Sequence, residues 1–63
     1  MTGEVKSFDR SHRYGFITVS DMDYRFTRKD WGLRLPPTKG MMVEFTPTNT
    51  EKGMRAEDIR IAR

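Results

Sequence analysis

The stretch "HRYGFITV" (residues 12–19) decides the fold of this chain. Its aromatic and β-branched residues predict a β-strand that begins at Tyr14. Side chains alternate between the two faces of a strand, so Gly15 and Ile17 share one face while Tyr14 and Phe16 share the other. The two rings therefore face away from the core side, and an inward glycine lies between them where a missing side chain lets the sheet coil tightly.

The composition limits what the rest of the chain can be. The 63 residues are enough for one domain, residues 1–63, which buries only about 60% of its unfolded surface. The chain has no cysteine, which excludes disulfides and thiolate metal sites. Residues 1–10, "MTGEVKSFDR", lack the apolar stretch typical of a signal peptide, and no apolar run approaches the roughly 18 residues of a membrane span. We expect a cytoplasmic protein that has no contact with a membrane.

The charge favours a polyanionic partner. Twelve Lys and Arg face nine Asp and Glu, which gives a net charge of +3. A basic balance in a short domain is typical of proteins that bind nucleic acid. The alternative is a merely solvated surface, and the decision depends on whether the cations gather on one face.

Short strand-like segments alternate with turn residues along the whole chain. Pro36 and Pro37 exclude a long helix from the central connection, residues 28–40, although a helical turn fits near residues 29–31. Pro47 ends the fourth strand or places it on an edge. This pattern predicts an all-β fold, a small five-stranded antiparallel barrel. The predicted strands are residues 4–8, 14–19, 24–27, 41–46 and 54–62.

Alternation along these strands predicts the core and what lies outside it. Tyr14 and Phe16 remain outside, with no obvious partner within the chain. Beside Arg25 and Thr27 they form an aromatic surface with cations around it, to which single-stranded nucleic acid binds by base stacking. The predicted core consists of Val5, Ile17, Val19, Tyr24, Phe26, Val43, Phe45, Ile59 and Ile61.

Residues 3–17, "GEVKSFDRSHRYGFI", resemble the opening of a bacterial cold-shock domain. The family pattern is Gly-Lys-Val-Lys-Trp-Phe-Asn, three residues, then Gly-Phe-Gly-Phe-Ile. Residues 24–28, "YRFTR", fall on its second ribonucleoprotein motif, and residues 40–61 align with its C-terminal part without gaps. The resemblance implies the OB-fold barrel of the cold-shock proteins and binding of single-stranded RNA or DNA. The matching C-terminal positions are Gly40, Val43, Phe45, Gly53, Ala56 and Ile59.

The departures from the family concentrate on its binding face. Ser7 stands where the family has an exposed tryptophan, and Arg25, Thr27 and Arg28 replace a phenylalanine, a histidine and a phenylalanine. Guanidinium groups stack on bases and bridge phosphates, so binding would change in character. The expected nucleic-acid-binding residues are Lys6, Arg10, His12, Arg13, Tyr14, Phe16, Arg25, Thr27, Arg28 and Trp31.

Three of these residues keep a second interpretation. His12 is a lone histidine in a polar turn, which favours a solvated residue. Arg28 either faces solvent or pairs with Asp30. Trp31 either plugs one end of the barrel, which we favour, or lies exposed in the long connection as a third stacking ring.

The sequence offers no arrangement for catalysis. It lacks a nucleophile beside a base, a glycine loop for phosphate and paired carboxylates on a cleft, so we expect neither an enzyme nor a metal or cofactor. The leading hypothesis is a module that binds single-stranded RNA or DNA and regulates transcription or translation. The alternative is a barrel whose altered face docks a protein partner or a second copy of the chain.

Overall fold

Five strands form a closed barrel in the computed structural model, which describes residues 1–62. Around the barrel they follow the order β1-β2-β3-β5-β4, and β4 pairs with β1. This confirms the predicted all-β, five-stranded barrel. The strands are β1 (Thr2–Asp9), β2 (Tyr14–Val19), β3 (Met22–Thr27), β4 (Met42–Thr50) and β5 (Gly53–Ile61).

The barrel is mixed, so the prediction of a purely antiparallel sheet is wrong. β3 and β5 pair in parallel, whereas the other neighbouring strands are antiparallel. The reason is geometric, because strand direction cannot alternate all the way around a closed ring with an odd number of members. One parallel pair is unavoidable, and here it closes the ring between β3 and β5.

The observed strand boundaries confirm the predicted range of the second strand and correct the predicted ranges of the strands next to it. β2 covers residues 14–19 as predicted, but β3 begins at Met22. The predicted four-residue acidic turn is therefore only Ser20 and Asp21. Ser20 has a φ of 55°, as two-residue hairpin turns require at their first central position.

Pro47 lies inside β4, which continues to Thr50 where the sequence predicted a loop. It lies in register opposite Ala56 of β5. The ladder with β1 covers only residues 42–44, so β4 has a partner on one side at Pro47. A proline is tolerated there because no neighbour needs its missing N–H.

The core differs from the prediction near the end of β5. Ala56 is buried, whereas Val19 at the end of β2 is half-buried and Ile61 at the end of β5 is 49% exposed. A bulge at Asp58, whose φ is 55° and which shifts the register with β4, explains the burial of Ala56. The inward-facing residues Ala56 and Ile59 are therefore three positions apart instead of two. The buried hydrophobic residues are Val5, Ile17, Tyr24, Phe26, Val43, Phe45, Ala56 and Ile59.

A stack of three aromatic rings runs through the core. Phe26 is fully buried, and its ring lies between Phe8 at 5.8 Å and Trp31 at 5.5 Å. Trp31 Nε1 donates a hydrogen bond of 2.6 Å to the carbonyl oxygen of Leu35. The indole thus packs against the core, in the position that the plugging interpretation describes.

The parallel closure depends on one buried carboxylate. β3 and β5 share a single register pair, and Asp30 lies three residues after Thr27, the last residue of β3. Asp30 is 9% exposed, and its oxygens accept hydrogen bonds of 3.0 and 3.2 Å from the Arg55 guanidinium. We call the junction of β3 and β5 the seam. Two backbone hydrogen bonds extend it, since Ile59 N donates to Asp30 O and Gly32 N donates to Ile59 O. Arg28 forms no ion pair with Asp30 among the described residues, so that interpretation is wrong.

Replacement of Gly15 by alanine tests the packing of β2. A Cβ at this position would lie 2.3 Å from the carbonyl oxygen of Ser7 and 2.9 Å from the Phe26 ring. We expect Gly15→Ala to lower the free energy of unfolding by about 1–3 kcal/mol, because overpacking forces the backbone apart. Urea denaturation measures this change. Ser7→Ala, on the exposed side of the neighbouring strand, is the control, and equal midpoints for both variants would contradict this account.

Asp30→Asn tests the closure of the barrel. The substitution keeps the side-chain shape but leaves the Arg55 guanidinium without its nearest carboxylate. We expect a loss of about 1–3 kcal/mol in the free energy of unfolding, since Arg55 is partly solvated and recovers some hydration. The matched control is Asp21→Asn in the exposed hairpin turn. If the two variants unfold at the same urea concentration, the ion pair does not stabilise the seam.

Candidate nucleic-acid interface

The outer face of β2 and its two neighbours carries most of the predicted site. In the ladder with β3, Tyr14 lies opposite Thr27 and Phe16 lies opposite Arg25. On the other side, Ser7 of β1 lies opposite Phe16. Opposite residues of an antiparallel pair project to the same side of the sheet, so these side chains share one surface.

Tyr14 and Phe16 form the centre of this surface. Both rings are half-buried, and they meet edge to face with centroids 5.9 Å apart. The His12 ring approaches Tyr14 at 6.0 Å, and the guanidinium carbon of Arg25 lies 5.5 Å from the centre of the Tyr14 ring. We call these four residues the platform. The expectation that the rings lack partners within the chain is wrong, because they contact each other and two neighbours.

The turn between β1 and β2 positions His12. One carboxylate oxygen of Asp9 accepts hydrogen bonds from the backbone amides of Ser11 (2.9 Å) and His12 (3.3 Å). The other lies 2.8 Å from His12 Nδ1. The hydrogen bond with the His12 side chain is the main cause that lowers the pKa of Asp9. The carboxylate therefore orders the turn and directs the imidazole toward Tyr14.

Three of the predicted arginines line one depression in the surface. Arg13 has a φ of 57°, and its carbonyl oxygen accepts a hydrogen bond of 3.2 Å from the backbone amide of Arg28, which ties the first turn to the end of β3. Among residues 1–62, no ion pair engages Arg10, Arg13 or Arg28. We call the depression between them the arginine groove. It is lined by Phe8, Arg10, Arg13, Arg28, Pro36 and Pro37.

Three other residues of the predicted site, Lys6, Thr27 and Trp31, form contacts outside the platform and the groove. Lys6 Nζ lies 3.0 Å from Asp23 Oδ2, so its charge is compensated at the surface. Thr27 donates hydrogen bonds to Asp30 from its amide (2.8 Å) and its hydroxyl (3.2 Å), which gives it a structural role. Trp31 pairs with the core ring of Phe26 rather than with the platform.

A second cleft follows the seam between β3 and β5, and the sequence analysis missed it. Arg25 lies at the junction, since it belongs to the platform and also lines this cleft. The cleft reaches the β4–β5 turn, where it is lined by Lys52, Met54 and Arg55. The predicted fold could have indicated this cleft, because OB barrels contact ligands through the loop between their fourth and fifth strands.

The described residues contain neither a metal centre nor a membrane helix. Within residues 1–62, no three His, Asp or Glu side chains come together as a bound metal ion requires. None of these residues belongs to a helix long and apolar enough to cross a membrane. No model of a known protein family matches the chain, and no curated protein matches it in sequence.

The lowered pKa of Asp9 predicts how the first turn responds to acid. A carboxyl group with a depressed folded-state pKa stabilises the fold above its unfolded value, here 3.8, and loses this contribution as the pH falls through the folded value. We expect the amide signals of Ser11 and His12 to shift together with a midpoint below pH 3.8 in an NMR titration. Asp9→Ala should abolish this common transition. A midpoint above pH 3.8 would show that the carboxylate does not hold the turn.

Proposed function

We propose that this protein binds single-stranded nucleic acid, RNA or DNA, on the outer face of β2 and β3. The observation that carries the proposal is that the Tyr14–Phe16 pair lies beside the guanidinium of Arg25. Three further arginines line a groove that includes Arg13, the residue before Tyr14. Bases present π-faces and the strand carries phosphates, and this face offers a partner for each.

The barrel supports this assignment through its resemblance to the OB fold of cold-shock domains. OB barrels bind oligonucleotides on the face of their second and third strands and through the loops that follow the first and fourth strands. The platform lies on the corresponding strands here. The arginine groove adjoins the first of these loops, and the seam cleft adjoins the second.

Arg25 determines how a base meets the platform. Its guanidinium lies over the Tyr14 ring, so it covers one aromatic face in the free protein. A base stacks on the outer plane of this guanidinium, or displaces it and stacks on Tyr14 directly. In both arrangements Arg25 remains beside the phosphates, because a guanidinium is planar, permanently charged and able to bridge two phosphate oxygens.

The proposed binding is modest in affinity and weak in sequence preference. Stacking accepts every base, and guanidinium–phosphate contacts carry no sequence information. A weak preference for pyrimidine bases is the strongest sequence preference that we expect. Such a module would regulate transcription or translation by occupying exposed single strands.

Titration of labelled oligo-dT and oligo-U at low salt tests the proposed function. We expect Tyr14→Ala and Phe16→Ala each to raise Kd by about 5- to 150-fold, because stacking on one ring is worth roughly 1–3 kcal/mol per base. With three or four phosphates engaged, log K should fall with log salt at a slope of about −2 to −3. Fluorescence anisotropy measures both quantities.

The controls separate stacking, charge and misfolding. Thr46→Ala on β4 removes an exposed side chain outside the platform and should leave Kd unchanged. Arg25→Lys keeps the charge but removes the planar group, so it should weaken binding with little change in the salt slope, whereas Arg25→Ala should also reduce that slope. Equal binding by the wild type and both ring variants would refute stacking. No response to any oligonucleotide, together with a dimer by sedimentation, would favour the alternative of a self-association module.

A further inference from the structure

We propose that the arginine groove holds the terminal phosphate of the bound strand, so that the protein prefers phosphorylated ends to hydroxyl ends. This inference rests on the proposed function, and it assigns to one part of the face a ligand group that stacking does not explain. The groove combines three cationic side chains with an aromatic ring and two prolines.

The three positive charges of the groove outnumber the single negative charge of a phosphate within the strand. Arg10, Arg13 and Arg28 are exposed, and none of the residues from 1–62 that line the depression carries a carboxylate. The nearest acid along the chain, Asp9, already bonds to two backbone amides and to His12. A phosphodiester carries one negative charge, whereas a phosphomonoester carries about 1.5–2 at pH 7 and adds a further oxygen for guanidinium donors. A terminal monoester therefore matches the three guanidinium groups better than a linkage within the strand.

The position of the groove favours the end of a strand. Arg13 precedes Tyr14 directly, and its carbonyl oxygen accepts a hydrogen bond from the amide of Arg28, so the groove begins one residue along the chain from the platform. Pro36 and Pro37 of the central connection also line it. These two residues have no backbone N–H and a fixed φ, so they form a rigid wall without donors for a further phosphate. A strand that runs along Phe16 and Tyr14 toward this wall terminates there.

Phe8 supplies the apolar part of the site. Its ring is half-buried and stacks on Phe26 at 5.8 Å, which fixes its orientation from the core side. The part of the ring that faces the groove offers a surface for the sugar or base of the last nucleotide. The groove thus provides a hydrophobic surface and charged donors for one terminal nucleotide.

The test compares three forms of one oligonucleotide. Short dT strands that carry a 5′-phosphate, a 3′-phosphate or no terminal phosphate are titrated at fixed ionic strength. We expect one phosphorylated form to bind about 5- to 20-fold more tightly than the unphosphorylated form, since two or more exposed ion pairs add to the contact. Arg10→Ala and Arg28→Ala should each reduce this ratio to about 2-fold or less. Arg60→Ala, an exposed arginine on β5, is the matched control and should keep the ratio.

The outcomes separate this inference from the function on which it rests. Phe16→Ala should weaken all three strands by the same factor and leave the ratio unchanged, because the ring does not line the groove. Equal affinity of the wild type for all three strands would overturn the terminal-phosphate site while the stacking function stands. A preference that survives in both groove variants would also overturn it. Absence of binding to every strand would overturn both proposals together.

Discussion

The ion pair between Asp30 and Arg55 is the interaction on which the barrel depends. A ring of five strands must contain one parallel pair, and here that pair has a single register contact. The buried carboxylate supplements this short ladder with two hydrogen bonds from Arg55 and two from Thr27. Because the same carboxylate orders the turn after β3, it also fixes where Arg28 leaves the sheet. The closure of the fold and the position of the arginine groove therefore share one cause.

The packing inside β2 determines the chemistry outside it. Gly15 lies so close to the Phe26 ring and to the Ser7 carbonyl that no larger side chain fits there. This contact sets the inward side of β2, and alternation then places Tyr14 and Phe16 on the opposite side. Two large rings on an outer face leave apolar area in water, and here they reduce it by meeting edge to face. The platform is thus a consequence of core packing as much as of surface composition.

The sequence predicted the parts of the structure that depend on local pattern. Alternation and strand composition located β2 and seven of the eight buried hydrophobic residues. They failed at Ala56, because the bulge at Asp58 interrupts the two-residue period without a glycine to mark it. They also failed at Val19 and Ile61, which keep the alternation but lie at the ends of β2 and β5. The Asp30–Arg55 pair was also inaccessible, since it joins residues 25 positions apart and no periodicity encodes such a contact. Alternation placed Arg25 on the same face as the two rings, but its contact with Tyr14 depends on the register of the β2–β3 hairpin, which the two-residue turn sets and the sequence did not predict.

The position of Arg25 over the Tyr14 ring has consequences for the free protein and for the binding that we propose. An aromatic platform left bare exposes a hydrophobic patch, whereas a guanidinium over Tyr14 covers part of it while staying hydrated at its edges. The covering group is itself planar, so it removes little of the surface available to a base. In the proposed complex it also adds a charge beside the phosphates, which would shift the binding free energy from stacking toward ion pairing. The proposed affinity would then depend on salt concentration more than on base identity, because phosphates are common to every sequence.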